Sequence, residues 1–428
     1  MRSWQTLLFA AFLVVVFLLG TGSAEASDWP DYRGPRRDGK SPAMNVPLKW
    51  SESENVVWKT PIHDQGHSSP VVLGRHVWLT TATADGKDMF VLCVDRETGE
   101  ILLDKKIFQN KRPRPLGNNV NNYATPSPVI EGGRVYVHFG SYGTACLDTQ
   151  TFEVLWQRRD LPCDHWRGPG SSPCLYEDLL LLHFDGANVQ YAAALDKNSG
   201  ETRWVTFRSA DFGDLDEEGR PLAGGDGRKS YGTPDVIGYG GRAQMISTGA
   251  KATYSYDART GQEIWVARHQ SHSAGARTVF GSGLALTFTG VNPTELVALR
   301  MDGEGDVTDT HVAWKSRRGV PSRSSPVLVD NLLYMASENG VATCLDITAS
   351  SEPVWQERLG GRFSASLVHL VGRLYFFDES GVTTVIKPGR KFHRLQTNRL
   401  DGGFMASPAI AGRSLYLRSR THLYRIGE

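Results

Sequence analysis

The sequence predicts an all-β chain: an eight-bladed β-propeller with four-stranded blades, its last blade closed by a strand from near the N-terminus. Three observations lead there. A string, YDARTGQEIW at 256–265, recurs along the chain. A Ser-Pro signature recurs ahead of it, roughly 40–60 residues from one copy to the next. The two ends of the chain are complementary, one lacking a strand that the other supplies.

The string has relatives in VDRETGEILL (94–103), LDTQTFEVLW (147–156) and LDKNSGETRW (195–204), with a looser copy in LDITASSEPVW (345–355). Asp95, Asp148, Asp196 and Asp257 each open a tight turn, where the aspartate bonds the backbone and Gly supplies a positive φ. Trp156, Trp204 and Trp265 close the strings, with Leu103 as the variant. Trp314 and Trp355 hold the same place in later units. Repetition at matched offsets makes these residues architectural: the turn sets strand register and the Trp fills the space between blades.

The Ser-Pro signature reads HSSPVVL, TPSPVIE, GSSPCLY, YGTPDVI, RSSPVLV and MASPAIA, with AGARTVF and SASLVHL as copies without proline. Units start near residues 68, 126, 171, 232, 275, 324, 364 and 406. In this alignment Arg277 and Leu367 stand in the proline position. Each unit reads as four short alternating strands bounded by turn residues. The eighth unit ends at THLYRIGE without a Trp strand, while NVVWKTPI (55–62) is a Trp strand without a unit. Trp58 therefore completes the last blade, which removes an exposed sheet edge. Residues 55–428 are expected to form one ring, preceded by an extension over 27–54.

Residues 1–26 read as a cleavable signal peptide. Arg2 is followed by the apolar run LLFAAFLVVVFLLG (7–20), and Ala24, Glu25 and Ala26 form a small-residue site before Ser27. The expected location is periplasmic or extracellular, with no transmembrane segment in the mature chain. Lys plus Arg number 47 against 46 Asp plus Glu. That balance gives no electrostatic case for nucleic acid as a partner.

Asp-x-x-Thr-Gly-x-x-x-Trp after an Ala-Leu or Cys-Leu strand resembles the tryptophan-docking motif of pyrroloquinoline quinone (PQQ) repeat propellers. The resemblance covers residues 55–428. It implies the fold, within a family that holds both quinoprotein dehydrogenases and non-enzymatic scaffolds of outer-membrane barrel assembly. The dehydrogenases hold PQQ over a tryptophan floor with Ca²⁺, under a disulfide between adjacent cysteines. This sequence has no adjacent cysteines, and no catalytic Asp or Ca²⁺ ligand set matches residue by residue. The expectation is a binding or assembly scaffold for a protein, peptide or saccharide, without a cofactor. The alternative is a PQQ- and Ca²⁺-dependent oxidoreductase with an atypical site. A carbohydrate-active enzyme is a third reading.

Cys93, Cys146, Cys344 and Cys174 fall at core strand positions. Cys163 lies in a loop, and whether it pairs with Cys174 is open. The loop DLDEEG (214–219) places Asp214, Asp216 and Glu218 at the start of a Ca²⁺-loop pattern, but Gly225 stands where the bidentate Glu belongs. DGEGD (302–306) is a second acidic loop. The polar segments between blades are the better site candidates, because long loops at one end of a rigid scaffold carry function. From them come His67, Asn122, His165, Trp166, Arg167, Lys229, Tyr231, His272 and Arg323. They supply donors and an aromatic face for a polar or anionic ligand.

Overall fold

The computed structural model describes residues 28–43, 45–117, 120–349, 351–370 and 372–428. The signal-peptide reading of residues 1–26 lies outside them. Short runs of alternating apolar residues form eight sheets of four antiparallel strands each, two of which carry a fifth strand. Blade 1 runs Val71–Leu73, His76–Ala82, Asp88–Asp95 and Ile101–Gln109. Blades 2–7 repeat this order. In blade 8, Val56–Pro61 pairs antiparallel with His422–Ile426, Trp58 opposite Arg425. The ring is thus closed by the N-terminal Trp strand.

The repeated string does what its chemistry dictates. Asp95 Oδ1 accepts the amides of Glu97 and Thr98 at 2.8 and 2.9 Å, and Asp148, Asp196 and Asp257 make the matching pair of bonds. Gly99, Gly200 and Gly261 take φ of 76°, 76° and 72°. A Cβ there would lie 2.5–2.7 Å from the ring of Trp58, Trp156 or Trp204, each from the preceding blade. Only glycine gives both the turn and the flat seat for an indole. Trp58, Trp156 and Trp355 donate Nε1–H to carbonyls of the next blade, Arg96, Lys197 and Gly389, each at 3.0 Å. Trp314 packs on the apolar cluster shared with Leu328 and Ile347 of blade 6. Where blade 1 ends in Leu103, blade 2 replaces the glycine by Phe152, at φ 61°, and its ring packs on Trp78 at 5.7 Å. The lost indole is compensated from the other side of the same interface.

Trp265 differs from the others in its hydrogen bond. It fills its inter-blade space as expected, packed with Ala285, Val297 and Leu299 of blade 5, but its Nε1–H bonds Gln244 of its own blade at 3.3 Å. The acidic loop after blade 5's third strand folds back so that Gly305–Asp306 pairs parallel to Trp265 and Val266. The DGEGD loop is therefore a strap on blade 4's outer edge, held by Asp306 on Arg268 at 2.9 Å.

Around the channel the residue two places before each innermost strand forms a belt. Ser69 N–H donates to Ser127 Oγ, Ser127 to Ser172, and Ser172 to Thr233, at 2.8–3.0 Å. Arg277 N–H donates to Ser325 Oγ, Ser325 to Ser366, Ser366 to Ser407, and Ser407 back to Ser69, at 2.8–3.0 Å. This pattern corrects the alignment of blade 5. Arg277 occupies the serine position and Thr278 the proline position, since Arg277 N bonds as every belt serine does.

Below the belt, residues 28–41 thread the channel. Trp29 exchanges two backbone bonds with Val72 of blade 1, and Pro30 O accepts from Ile130 of blade 2. Arg37 reaches Leu175 O of blade 3. Arg33, 3% exposed, bonds Pro326 O and Leu367 O of blades 6 and 7. Lys40–Ser41 pairs parallel with His369 and Leu370 of blade 7. The charge-rich DYRGPRRDGKS stretch is thus an internal strap whose Arg33 and Arg37 reach backbone carbonyls of the blades.

Candidate functional site

At the end of the ring where chain passes from one blade to the next, a cavity of about 510 Å³ opens over the belt. Its floor is Ser69, Ser127, Ser172, Thr233 and Ser407 of the belt, with Tyr32 of the strap. The Tyr32 hydroxyl meets Ser325 Oγ at 3.2 Å and Ser366 Oγ at 2.9 Å. Five sequence-derived candidates line the cavity together: His67, Arg167, Tyr231, His272 and Arg323.

The other four stand behind it. Asn122 borders a neighbouring depression and caps Ala124 N–H at 2.9 Å. His165 turns inward, its Nδ1 3.8 Å from Cys163 Sγ, and its Nε2 meets no protein partner. Trp166 lies under two cations, with Lys229 Nζ 4.3 Å and Arg167 Cζ 4.6 Å from its ring centre. Lys229 is buried and bonded to Asp226.

Asp226 is the residue that sequence reading missed. Its carboxylate takes Arg167 through two bonds, 2.9 and 3.2 Å, and Lys229 through a third. Burial works against its charge, but Lys229 and Arg167 win and hold the carboxyl below its ordinary range. Burial lowers the Lys229 pKa despite that bond. His67 is pushed down to about 3, by burial first and then by Arg418, Arg420 and Arg323, so it is neutral at pH 7. Arg418 is 3% exposed and bonds Ser68 Oγ and the carbonyls of Ser68 and Thr80; burial lowers it to about 9. Arg323 faces Glu338 at 3.5 Å and Glu379 at 3.8 Å.

The other candidates resolve as follows. All five cysteines are free and buried, Cys163 and Cys174 included. Asp214 is bonded to Arg228, and Asp216 and Glu218 to Arg220. Each carboxylate of the calcium-loop pattern is thus turned onto an arginine. Among the described residues no group of three His, Cys, Asp or Glu converges as metal ligands. The cavity is also a poor fit for a calcium-held quinone. Asp226 is its one lining carboxylate among the described residues and is engaged by two cations, and the floor is hydroxyl rather than indole.

A family model described as outer membrane protein assembly factor BamB matches residues 51–231 and 224–427. The chain belongs to this family. No curated protein sequence matches the chain. The BamB crystal structure from Moraxella catarrhalis is similar over 86% of this chain and 99% of its own, at 13% identity and TM-score 0.59. A quinohemoprotein alcohol dehydrogenase from Comamonas testosteroni is similar over 94% of this chain and 81% of its own, at 11% identity and TM-score 0.66. The computationally designed protein Ika8 covers 87% of this chain and is itself covered to 99%, at 10% identity and TM-score 0.59. At such identities these BamB, dehydrogenase and designed structures share the fold. Among the described residues no helix is long and apolar enough to cross a membrane.

Proposed function

We propose that this BamB-family propeller is an exported, non-catalytic scaffold of the bacterial envelope. Its cavity end and the loops around it receive a protein, peptide or saccharide partner. One observation carries the reading. Residues from many inter-blade segments converge on one cavity whose charged groups are held in pairs, Arg167 on Asp226 and Arg323 by Glu338. Where Ser273 Oγ lies beside an imidazole, 2.9 Å from His272 Nδ1, the other ring nitrogen meets the amide of Asn292 rather than an orienting carboxylate. That is the arrangement of a recognition surface on a rigid ring. The family description, an assembly factor, points the same way.

Site-specific photo-crosslinking in the producing cell tests it. A crosslinker at Leu222, 54% exposed on the long loop between blades 3 and 4, is expected to trap a discrete adduct. The same probe at Arg75, in the turn between the first two strands of blade 1 at the opposite end, is expected to trap none. Adducts at Arg75 alone would move the partner surface to the other face.

A further inference from the structure

The belt leaves a set of donors that neither the ring closure nor the strap uses. Each belt hydroxyl accepts a backbone N–H from the preceding blade, so its own proton remains to be given away. Tyr32 engages Ser325 and Ser366. Among the described residues Ser69, Ser127, Ser172, Thr233 and Ser407 have no protein acceptor for their hydroxyl protons; they are 3–7% exposed, and all line the cavity floor. Five near-buried O–H groups converging on one space favour a ligand rich in acceptor atoms, since an unmade buried bond is costly.

Charge decides which acceptor. Asp226 is shared by Arg167 and Lys229. Glu338 and Glu379 offset Arg323. Arg418 bonds only hydroxyl and carbonyl oxygen, and His67 lies among Arg323, Arg418 and Arg420, whose cations all oppose its protonation. A positive excess over a floor of hydroxyl donors is a receptor for negative charge.

We propose that the cavity binds a small polyanion, with one oxyanion group, carboxylate or phosphate, on the hydroxyl belt and another reached by Arg167 and Arg323. This rests on the reading of the cavity as the protein's binding site, and names its ligand class. The volume, about 510 Å³, suits a ligand of metabolite size.

Isothermal titration with citrate and, separately, pyrophosphate tests it at low ionic strength. At least one is expected to bind saturably, one per chain, and more weakly as salt rises. The arm that binds tells carboxylate from phosphate. The double variant R167Q/R323Q is expected to bind about tenfold more weakly or worse, while R317Q, whose arginine pairs with Glu295 outside the cavity, binds as wild type. A second measurement needs no variant: phenylglyoxal modification of Arg167 and Arg323 in the wild type, read by peptide mass spectrometry, is expected to slow when the anion is present. No saturation by either anion overturns the proposal, as does binding that leaves both arginines unprotected. If the Leu222 adduct persists while both anions fail, this inference falls and the scaffold reading stands. If an anion binds and the adduct is absent, the reverse holds.

Discussion

Arg277→Met is expected to lower the free energy of unfolding by about 3–5 kcal/mol, because it strips one partner from a buried ion pair. Blade 5 is the one blade without a belt hydroxyl, and its arginine does a different job. The side chain is 1% exposed. It donates to Asp235 Oδ2 at 2.6 Å, to Pro234 O at 3.0 Å and to Tyr32 O at 2.8 Å. It therefore joins blade 4, blade 5 and the strap at one point. Removing it leaves the Asp235 carboxylate, 4% exposed, without its main cation. Burial already pushes that carboxyl's pKa up against the pull of Arg277. The double variant R277M/D235L is expected to regain most of the loss, since apolar groups of similar size carry no desolvation penalty. Denaturant titration of both variants checks this. A loss under about 1 kcal/mol for R277M would mean that the clamp is peripheral to the fold.

The second large effect is acid sensitivity. His138 and His183 are 1% and 3% exposed. His138 bonds Thr144 Oγ1 at 2.8 Å, and His183 bridges Gly232 O and Ser247 Oγ, each at 2.9 Å. Burial holds the first at about 3, with His165 adding a little, and the second at about 4, with Arg208 adding to the effect. The unfolded chain takes up these protons near pH 6.5. The native state does not, so the unfolded state binds more protons and stability falls as pH drops from about 6.5 towards 4. At pH 4.5 the two histidines together remove at most about 5 kcal/mol, a large share of a typical domain's stability. His165 and His67 act in the same direction. Asp235, whose pKa is raised, acts in the opposite one. Thermal unfolding followed from pH 7.5 to 4.5 is expected to show a steep decline in Tm below about pH 6.5. A flat profile would mean that these imidazoles are solvated.

Much of the architecture could be read from residue types because it depends on local chemistry repeated at a fixed offset. Asp-x-x-Thr-Gly makes its own turn, and a Trp needs a glycine to sit on, so both appear in every good copy. Even the exception can be read afterwards: Leu103 and Phe152 changed together across one interface. Blade 5's register is hidden in the sequence because the proline that marks most copies is absent there. Its identity lies in a backbone bond, Arg277 N–H to Ser325, which sequence does not display.

The cavity was half legible. Position in an inter-blade segment brings His67, Arg167, Tyr231, His272 and Arg323 to one cavity. It could not say that Lys229 would be turned under Asp226, or His165 inward onto Cys163. The belt is in view as the Ser or Thr ahead of the repeated Pro, but that signature marks only where a unit starts, and nothing in it says that the side chain faces the channel. The strap was invisible for another reason: Tyr32 and Arg33 meet partners some three hundred residues away, and no periodicity announces such contacts.

The central claim is a binding scaffold rather than a quinone enzyme. The most direct measurement is titration of the purified protein, residues 27–428, with PQQ, with and without Ca²⁺, alongside a dye-linked alcohol dehydrogenase assay. The account predicts no Ca²⁺-dependent binding and no dye reduction, because the cavity's carboxylate is already held by Arg167 and Lys229. PQQ bound equally with and without Ca²⁺, and inert towards the dye, would be a polyanion at the hydroxyl belt. Ca²⁺-dependent binding together with dye reduction would contradict the account and make this chain an oxidoreductase.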